Sequence, residues 1–404
     1  MKISLLLLIP LILFGKTKLG IDELFSPPHI EKIQGKKIGL ITNQTGVDGN
    51  LVPTYERLLN HKECRLVALF SPEHGFNGSS YAAAKIQNGK EGGLPLYSLH
   101  GSTRRPTNEM LEGIDLLIYD IQDIGIRSYT YATTLFYVME EAAKRDIPVL
   151  VLDRPNPLSG HLVDGPLLET KWRSFIGYID VPYCHGLTIG ELANYYNEEY
   201  RIQCKLRVVP MKNWKREMFF HETGLHWIPT SPHIPESTTA LFCATTGILG
   251  ELGIVSIGIG YTLPFKLVGA PWIDAKVFAE KLNNLNLPGV LFRPFHFKPF
   301  YGAFKGKECQ GVLILINDQK MYRPLNVQYA LLGLLKSLYP KEFSDAIKKL
   351  SDGKKELFCK ALGSDVVLKI LEKERFITYK LLDLDKRRAE EYKKKREKYF
   401  IYLD

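Results

Sequence analysis

The chain has 404 residues, 45% of them hydrophobic and 24% charged, with a formal net charge of +9. Single cores stop growing near about 250–300 residues, so that length excludes one ordinary core and implies two domains. The balance of apolar and charged residues, with no low-complexity tract, excludes a disordered or fibrous chain.

Residues 1–15 read MKISLLLLIPLILFG. One Lys, an apolar run from Ile3 to Phe14 broken by Pro10, and then Gly15 have the shape of a signal peptide. The run is short of the roughly 20 apolar residues that span a bilayer. The expectation is export: a mature chain starting near Lys16, in the periplasm or on the envelope, with no integral span after cleavage.

Short β-branched apolar runs then alternate with helical stretches: 37–42 (KIGLIT), 65–70 (RLVALF), 115–119 (DLLIY), 147–152 (IPVLVL), 205–209 (KLRVV), 240–244 (ALFCA) and 254–259 (IVSIGI). Several are apolar throughout, as strands covered on both faces are. Alternation with helices such as 133–145 predicts an α/β fold with a Rossmann-like open, mostly parallel sheet. The Pro- and Gly-rich stretch LPFKLVGAPW (263–272) marks a boundary, giving a catalytic domain over 16–268 and a smaller α/β domain over 269–404. The second unit is expected to hold helices at 274–285 and 327–338 and strands at 290–295 and 311–316. Its tail, KRRAEEYKKKREK (386–398), mixes both charge signs and reads as a solvated helix. No nucleic-acid partner is expected, and an anionic cell envelope suits the net charge of an exported protein better.

Open α/β sheets bind ligands at the carboxyl ends of their strands, and four of the expected strands end in polar loops. The first carries Asn43, the second Glu73 and His74, the third Asp120 and Asp123, and the fourth Asp153, Arg154 and Asn156. Glu73, between Pro72 and Phe76, is the candidate general acid, because desolvation there would raise its pKa. Asp123 is the candidate second carboxylate, as acid-assisted glycoside cleavage requires, with Asp120 either sharing that work or bracing the loop. Arg127, Tyr129 and Tyr131 alternate, so in an extended segment they would share one face and could grip a sugar, the Arg meeting a ligand carboxylate. His185 precedes a capping box formed by Thr188 and Glu191, which leaves a site role and a loop role both open.

His221 and His226 are five apart and miss the i, i+4 geometry of a zinc helix. The six cysteines form no CxxC pair. With no P-loop, no G-x-S-x-G elbow and no complete dinucleotide fingerprint, neither metal nor cofactor is expected.

Taken together, T-N-Q-T-G (42–46), S-P-E-H-G-F (71–76) with Gly78, Y-D-I-Q-D-I-G-I-R-S-Y-T-Y (119–131), D-R-P-N-P (153–157) with Gly160, H-G-L-T-I-G-E-L-A (185–193) and P-F-K-L-V-G-A-P-W (264–272) resemble the NamZ-like exo-β-N-acetylmuramidases. These are glycoside hydrolases of peptidoglycan recycling, first catalogued as a domain of unknown function. The resemblance runs from Gly20 nearly to the C-terminus. It implies a Rossmann-like domain, a smaller domain, a cleft between them, and release of terminal N-acetylmuramic acid from muropeptides or peptide-free glycan. It also implies that Glu73 is the acid and Asp123, or else Asp120, the second acidic residue. Against the family's common pattern, Ile259 stands where Arg is frequent, Lys266 where Glu is, and His233 where Asn is. The rival expectations are a cell-wall-binding protein without turnover, and a different exported hydrolase on the same scaffold.

Overall fold

The structure, a computed structural model, describes residues 15–384 and 386–403. The expected signal peptide, up to residue 14, lies outside the described residues.

Seven strands form one sheet: β1 (Lys37–Thr42), β2 (Arg65–Ser71), β3 (Gly89–Glu91), β4 (Leu94–Ser98), β5 (Leu116–Asp120), β6 (Val149–Leu152) and β7 (Leu206–Val209). Their order is β3-β4-β2-β1-β5-β6-β7, parallel except for the antiparallel edge strand β3. The continuous apolar runs become strands buried on both faces. Leu117 and Tyr119 of β5 pack with Leu135 and Phe136 of the Thr130–Ala143 helix, while Leu116 and Ile118 pack on the other side with Ile21 and Leu24. The sheet grows outward from β1 to β2 and β4, then returns to β5 and continues to β7. The reversal leaves a crevice at the carboxyl ends of β1 and β5, the usual ligand position in such sheets.

The second unit contains an antiparallel sheet of β8 (Leu267–Ala270), β9 (Val290–Phe297) and β10 (Cys309–Ile316), ordered β8-β10-β9. Helices Ala275–Asn283 and Pro324–Leu338 pack against it.

Two expected strands are corrected. Residues 240–244 belong to the helix Thr239–Leu252, which packs on the helices Pro324–Leu338 and Asp352–Leu362. Residues 254–259 form a loop with one isolated bridge, Ser256 to Gly269. The tail is helical over Lys386–Arg396 but not simply solvated. Tyr392 and Arg396 are buried, and Arg396 Nη1 donates to the carbonyls of Gly160 (2.8 Å) and Gly186 (2.6 Å). The chain therefore ends clamped onto the first unit. All six cysteines are unpaired.

Candidate active site

The polar loops at the strand ends divide into braces and a cavity wall. Asn43 Oδ1 accepts from the backbone N–H (2.9 Å) and hydroxyl (2.6 Å) of Thr45, whose Oγ1 in turn accepts the Gln122 N–H at 2.9 Å. That stitches the loop after β1 to the loop after β5. Asp120 is fully buried, with Oδ1 2.6 Å from Arg154 Nε and Oδ2 bonded to Arg154 Nη2 (2.9 Å) and the Thr54 hydroxyl (2.5 Å). Asp153 accepts from the Tyr402 hydroxyl (2.6 Å), the Thr188 hydroxyl (2.7 Å) and the Gly190 N–H (2.8 Å). Its burial still pushes its carboxyl up to about 6. Asp120, Asp153 and Arg154 therefore hold the loops together through their bonds to protein partners, and Asn43 does so through Oδ1 alone, its Nδ2 being buried without a partner.

In front of this framework lies a cavity of about 490 Å³ between the two units. Its first wall carries Glu73, His74, Ser128, Tyr129 and Thr130; its second carries Ser231, His233, Glu251, Ile259 and Lys354. Glu73 follows β2 and is only 8% exposed. Its Oε1 accepts the Ala83 N–H at 2.8 Å, its Oε2 accepts the Thr130 hydroxyl at 2.7 Å, and His100 Nε2 stands 3.6 Å from Oε1. Burial works to raise the carboxyl, but the two hydrogen bonds and the histidines His100 and His74 outweigh it, and the net direction is downward. The upward shift expected from its apolar neighbours is thereby corrected for the empty cavity. Thr130 opens the helix Thr130–Ala143, so Glu73 also sits at a helix N-terminus, which favours the anion. His74 holds a left-handed backbone (φ 72°), with Nδ1 2.7 Å from the Ser80 carbonyl, a strained conformation of the kind that clusters at functional sites.

Tyr129 faces the cavity and donates from its hydroxyl to Thr230 Oγ1 (2.8 Å). Tyr131 does not. It is fully buried, with its hydroxyl on the Thr230 carbonyl at 2.6 Å. The segment starts a helix instead of running extended, so the two rings do not share a face; they meet edge-on, 4.8 Å apart.

The matches to known proteins agree with this geometry. Residues 38–238 match the family described as exo-beta-N-acetylmuramidase NamZ, N-terminal, and residues 241–402 its C-terminal counterpart. The chain is 38% identical over 389 residues to the peptidoglycan beta-N-acetylmuramidase NamZ of Bacillus subtilis (strain 168), covering 96% of this chain and 92% of that protein. The chain belongs to the exo-β-N-acetylmuramidase NamZ family. Two crystal structures of DUF1343 family proteins from Bacteroides fragilis NCTC 9343 share the fold. One has a TM-score of 0.90 at 41% identity, covering 96% of this chain and 99% of that one; the other has 0.71 at 29%, covering 96% and 100%.

Within this NamZ-family fold, Arg127 and Asp123 stand apart from the cavity that Glu73 lines. Arg127 is 4% exposed and is not among the residues that line the cavity. Nη1 donates to the carbonyls of Pro166 (2.7 Å) and Val181 (2.5 Å), and Nη2 to that of Leu362 (2.5 Å), so both terminal nitrogens are committed to backbone carbonyls, while Nε is buried without a partner. Burial draws it down to about 10. Asp123 is turned back by its own loop: Oδ1 accepts the Gly125 N–H at 2.7 Å, and burial pushes the carboxyl up to about 7. It borders a separate cleft of about 10 Å³ with Arg154, Asn156 and His185, and not the cavity that Glu73 lines. Gly125 has to be glycine there, because a β-carbon would come within 2.2 Å of Asn156 Oδ1. Asn156 is a brace as well, accepting from Leu158 N–H and donating to the Leu187 carbonyl, both at 2.9 Å. His185 is 2% exposed, drawn down to about 3 by burial and by Arg396 and Arg127, and so is neutral near neutral pH. The capping box after it is present, with Thr188 Oγ1 accepting the Glu191 N–H and Glu191 Oε2 accepting the Thr188 N–H.

Of the family's variable positions, Ile259 lines the cavity while Lys266 pairs with Glu236 at 2.8 Å. Thr130, His100, Glu251 and Lys354 were not singled out from sequence. Thr130 lies inside the R-S-Y-T-Y motif and was within reach; the other three carry no local signal.

Proposed function

We propose that this chain is an exo-acting glycoside hydrolase that releases N-acetylmuramic acid from the non-reducing end of peptidoglycan-derived glycans, with Glu73 protonating the leaving oxygen. The observation that carries the reading is a buried carboxylate on the wall of a cavity of about 490 Å³, in a family whose Bacillus subtilis member is a peptidoglycan beta-N-acetylmuramidase. Ligand cavities run from about 300 to 1,000 Å³, and this one, at about 490 Å³, lies within that range. Its hydrogen bonds and the neighbouring histidines favour the ionised form of Glu73. A sugar filling the space excludes water and deepens the desolvation, which moves the carboxyl towards the protonated form an acid needs. The aromatic face of Tyr129 offers a surface for the sugar ring. Substrate, on this reading, is met in the envelope after removal of residues 1–15.

The test is incubation of purified protein with a chromogenic β-N-acetylmuramide beside the matching β-N-acetylglucosaminide. Release from the muramide, with little from the glucosaminide, is expected. Release from neither, with muropeptide binding retained, would make this a binding protein.

A further inference from the structure

N-acetylmuramic acid differs from N-acetylglucosamine by a lactyl ether that carries a carboxylate. Taking such a charge from water into a cavity without a partner is disfavoured. The strand-end cations are engaged elsewhere, Arg127 on backbone carbonyls and Arg154 on Asp120, and Ile259 supplies no charge. Among the described residues that line the cavity, the one lysine or arginine is Lys354.

Lys354 lies in the first turn of the helix Asp352–Leu362, where Ser351 Oγ accepts its backbone N–H. Its side chain reaches the carboxyl end of the helix Thr239–Leu252. A β-carbon built on Gly253, the left-handed cap of that helix, would lie 2.6 Å from Lys354 Nζ. The carbonyl end of a helix favours a cation, so the ammonium is held at the wall. Glu251 lines the same wall. Burial raises its carboxyl and the Lys354 ammonium draws it back down, yet among the described residues no carboxylate forms a salt bridge with Lys354. Lys354 and Gly253 also border a more open groove of about 580 Å³ that includes Trp272 and Phe304. Lys354 therefore borders both the cavity and that groove.

We propose that the Lys354 ammonium is the partner of the lactyl carboxylate, and that it is the residue through which a free lactyl acid is told from an amide-linked one. The inference rests on the muramidase reading. Because the groove leaves room beyond the lactyl carbonyl, discrimination against the amide is one of charge and not of size.

The test compares wild type, Lys354→Met and Lys354→Arg on a chromogenic β-N-acetylmuramide and on its lactyl methylamide. Lys354 is an exposed residue, and thermal unfolding verifies that the variants fold. Loss of a charge-assisted contact predicts that Lys354→Met lowers kcat/KM on the free acid by about 10- to 100-fold and on the methylamide by less than about threefold, with Lys354→Arg close to wild type. Equal losses on both substrates, or an unchanged free-acid rate, would overturn the assignment. Calorimetric titration with free N-acetylmuramic acid reads the same contact without turnover. Binding that depends on Lys354 in a protein that cleaves neither substrate would sink the muramidase reading and leave the assignment standing; binding that ignores Lys354 would sink the assignment.

Discussion

The Glu73 carboxylate receives one hydrogen bond from a backbone amide and one from a hydroxyl, with two histidines beside it. Glutamine in its place can still accept from Ala83, and the Thr130 hydroxyl can turn to accept from the new amide, so the local fold is retained. What is lost is the transferable proton. Glu73→Gln is expected to lower kcat on a muramide by at least about a hundredfold, the scale of general acid catalysis, with the melting temperature little changed. Turnover near wild type in a folded variant would remove Glu73 from the mechanism. At this scale the sequence was half legible. Pro72 and Phe76 correctly announced a buried carboxyl, but the sign of its shift depends on Ala83, His100 and Thr130, which arrive from other parts of the chain.

At the scale of elements, Arg127 joins three segments by its guanidinium: the loop at Pro166, the loop at Val181 and the carboxyl end of the helix Asp352–Leu362. Removing it leaves buried carbonyls without donors, each costing about 1–3 kcal/mol. Arg127→Met should therefore destabilise the protein by roughly 3 kcal/mol or more in denaturant unfolding, while the surviving folded fraction keeps its ratio of muramide to glucosaminide cleavage. A selective loss on the muramide would return Arg127 to the substrate. The parallel strands were readable because burial on both faces leaves an unbroken apolar run. The same logic failed at 240–244, since the helix Thr239–Leu252 is buried nearly all round and its period is erased. It failed again at 254–259, where Gly253, Gly258 and Gly260 all take positive φ and turn the chain into a loop. The edge strand β3 and its neighbour β4 are short and only partly buried, and give no pattern to read.

Across the whole molecule, the first cavity wall comes from strand-end loops and the second from the loop holding Ser231 and His233 together with the unit that follows Thr239. The strand-end motifs exposed Glu73, His74 and Tyr129 in the sequence. Glu251 and Lys354 were invisible there, because each sits at a helix end with no motif around it and acquires a role only when the two units close on each other. Strand-end position also over-predicted: Asp120, Asp153, Arg154 and Asn156 share it, but they hold the loops to one another and to the chain's own C-terminus through Tyr402. The proposed exo action confines cleavage to chain ends. The most direct measurement is time-resolved mass spectrometry of products from peptide-free glycans of defined non-reducing end. The account predicts that N-acetylmuramic acid is the only early product from chains that begin with it, and that chains beginning with N-acetylglucosamine stay intact. Early internal fragments, or equal cleavage of both chain types, would contradict it.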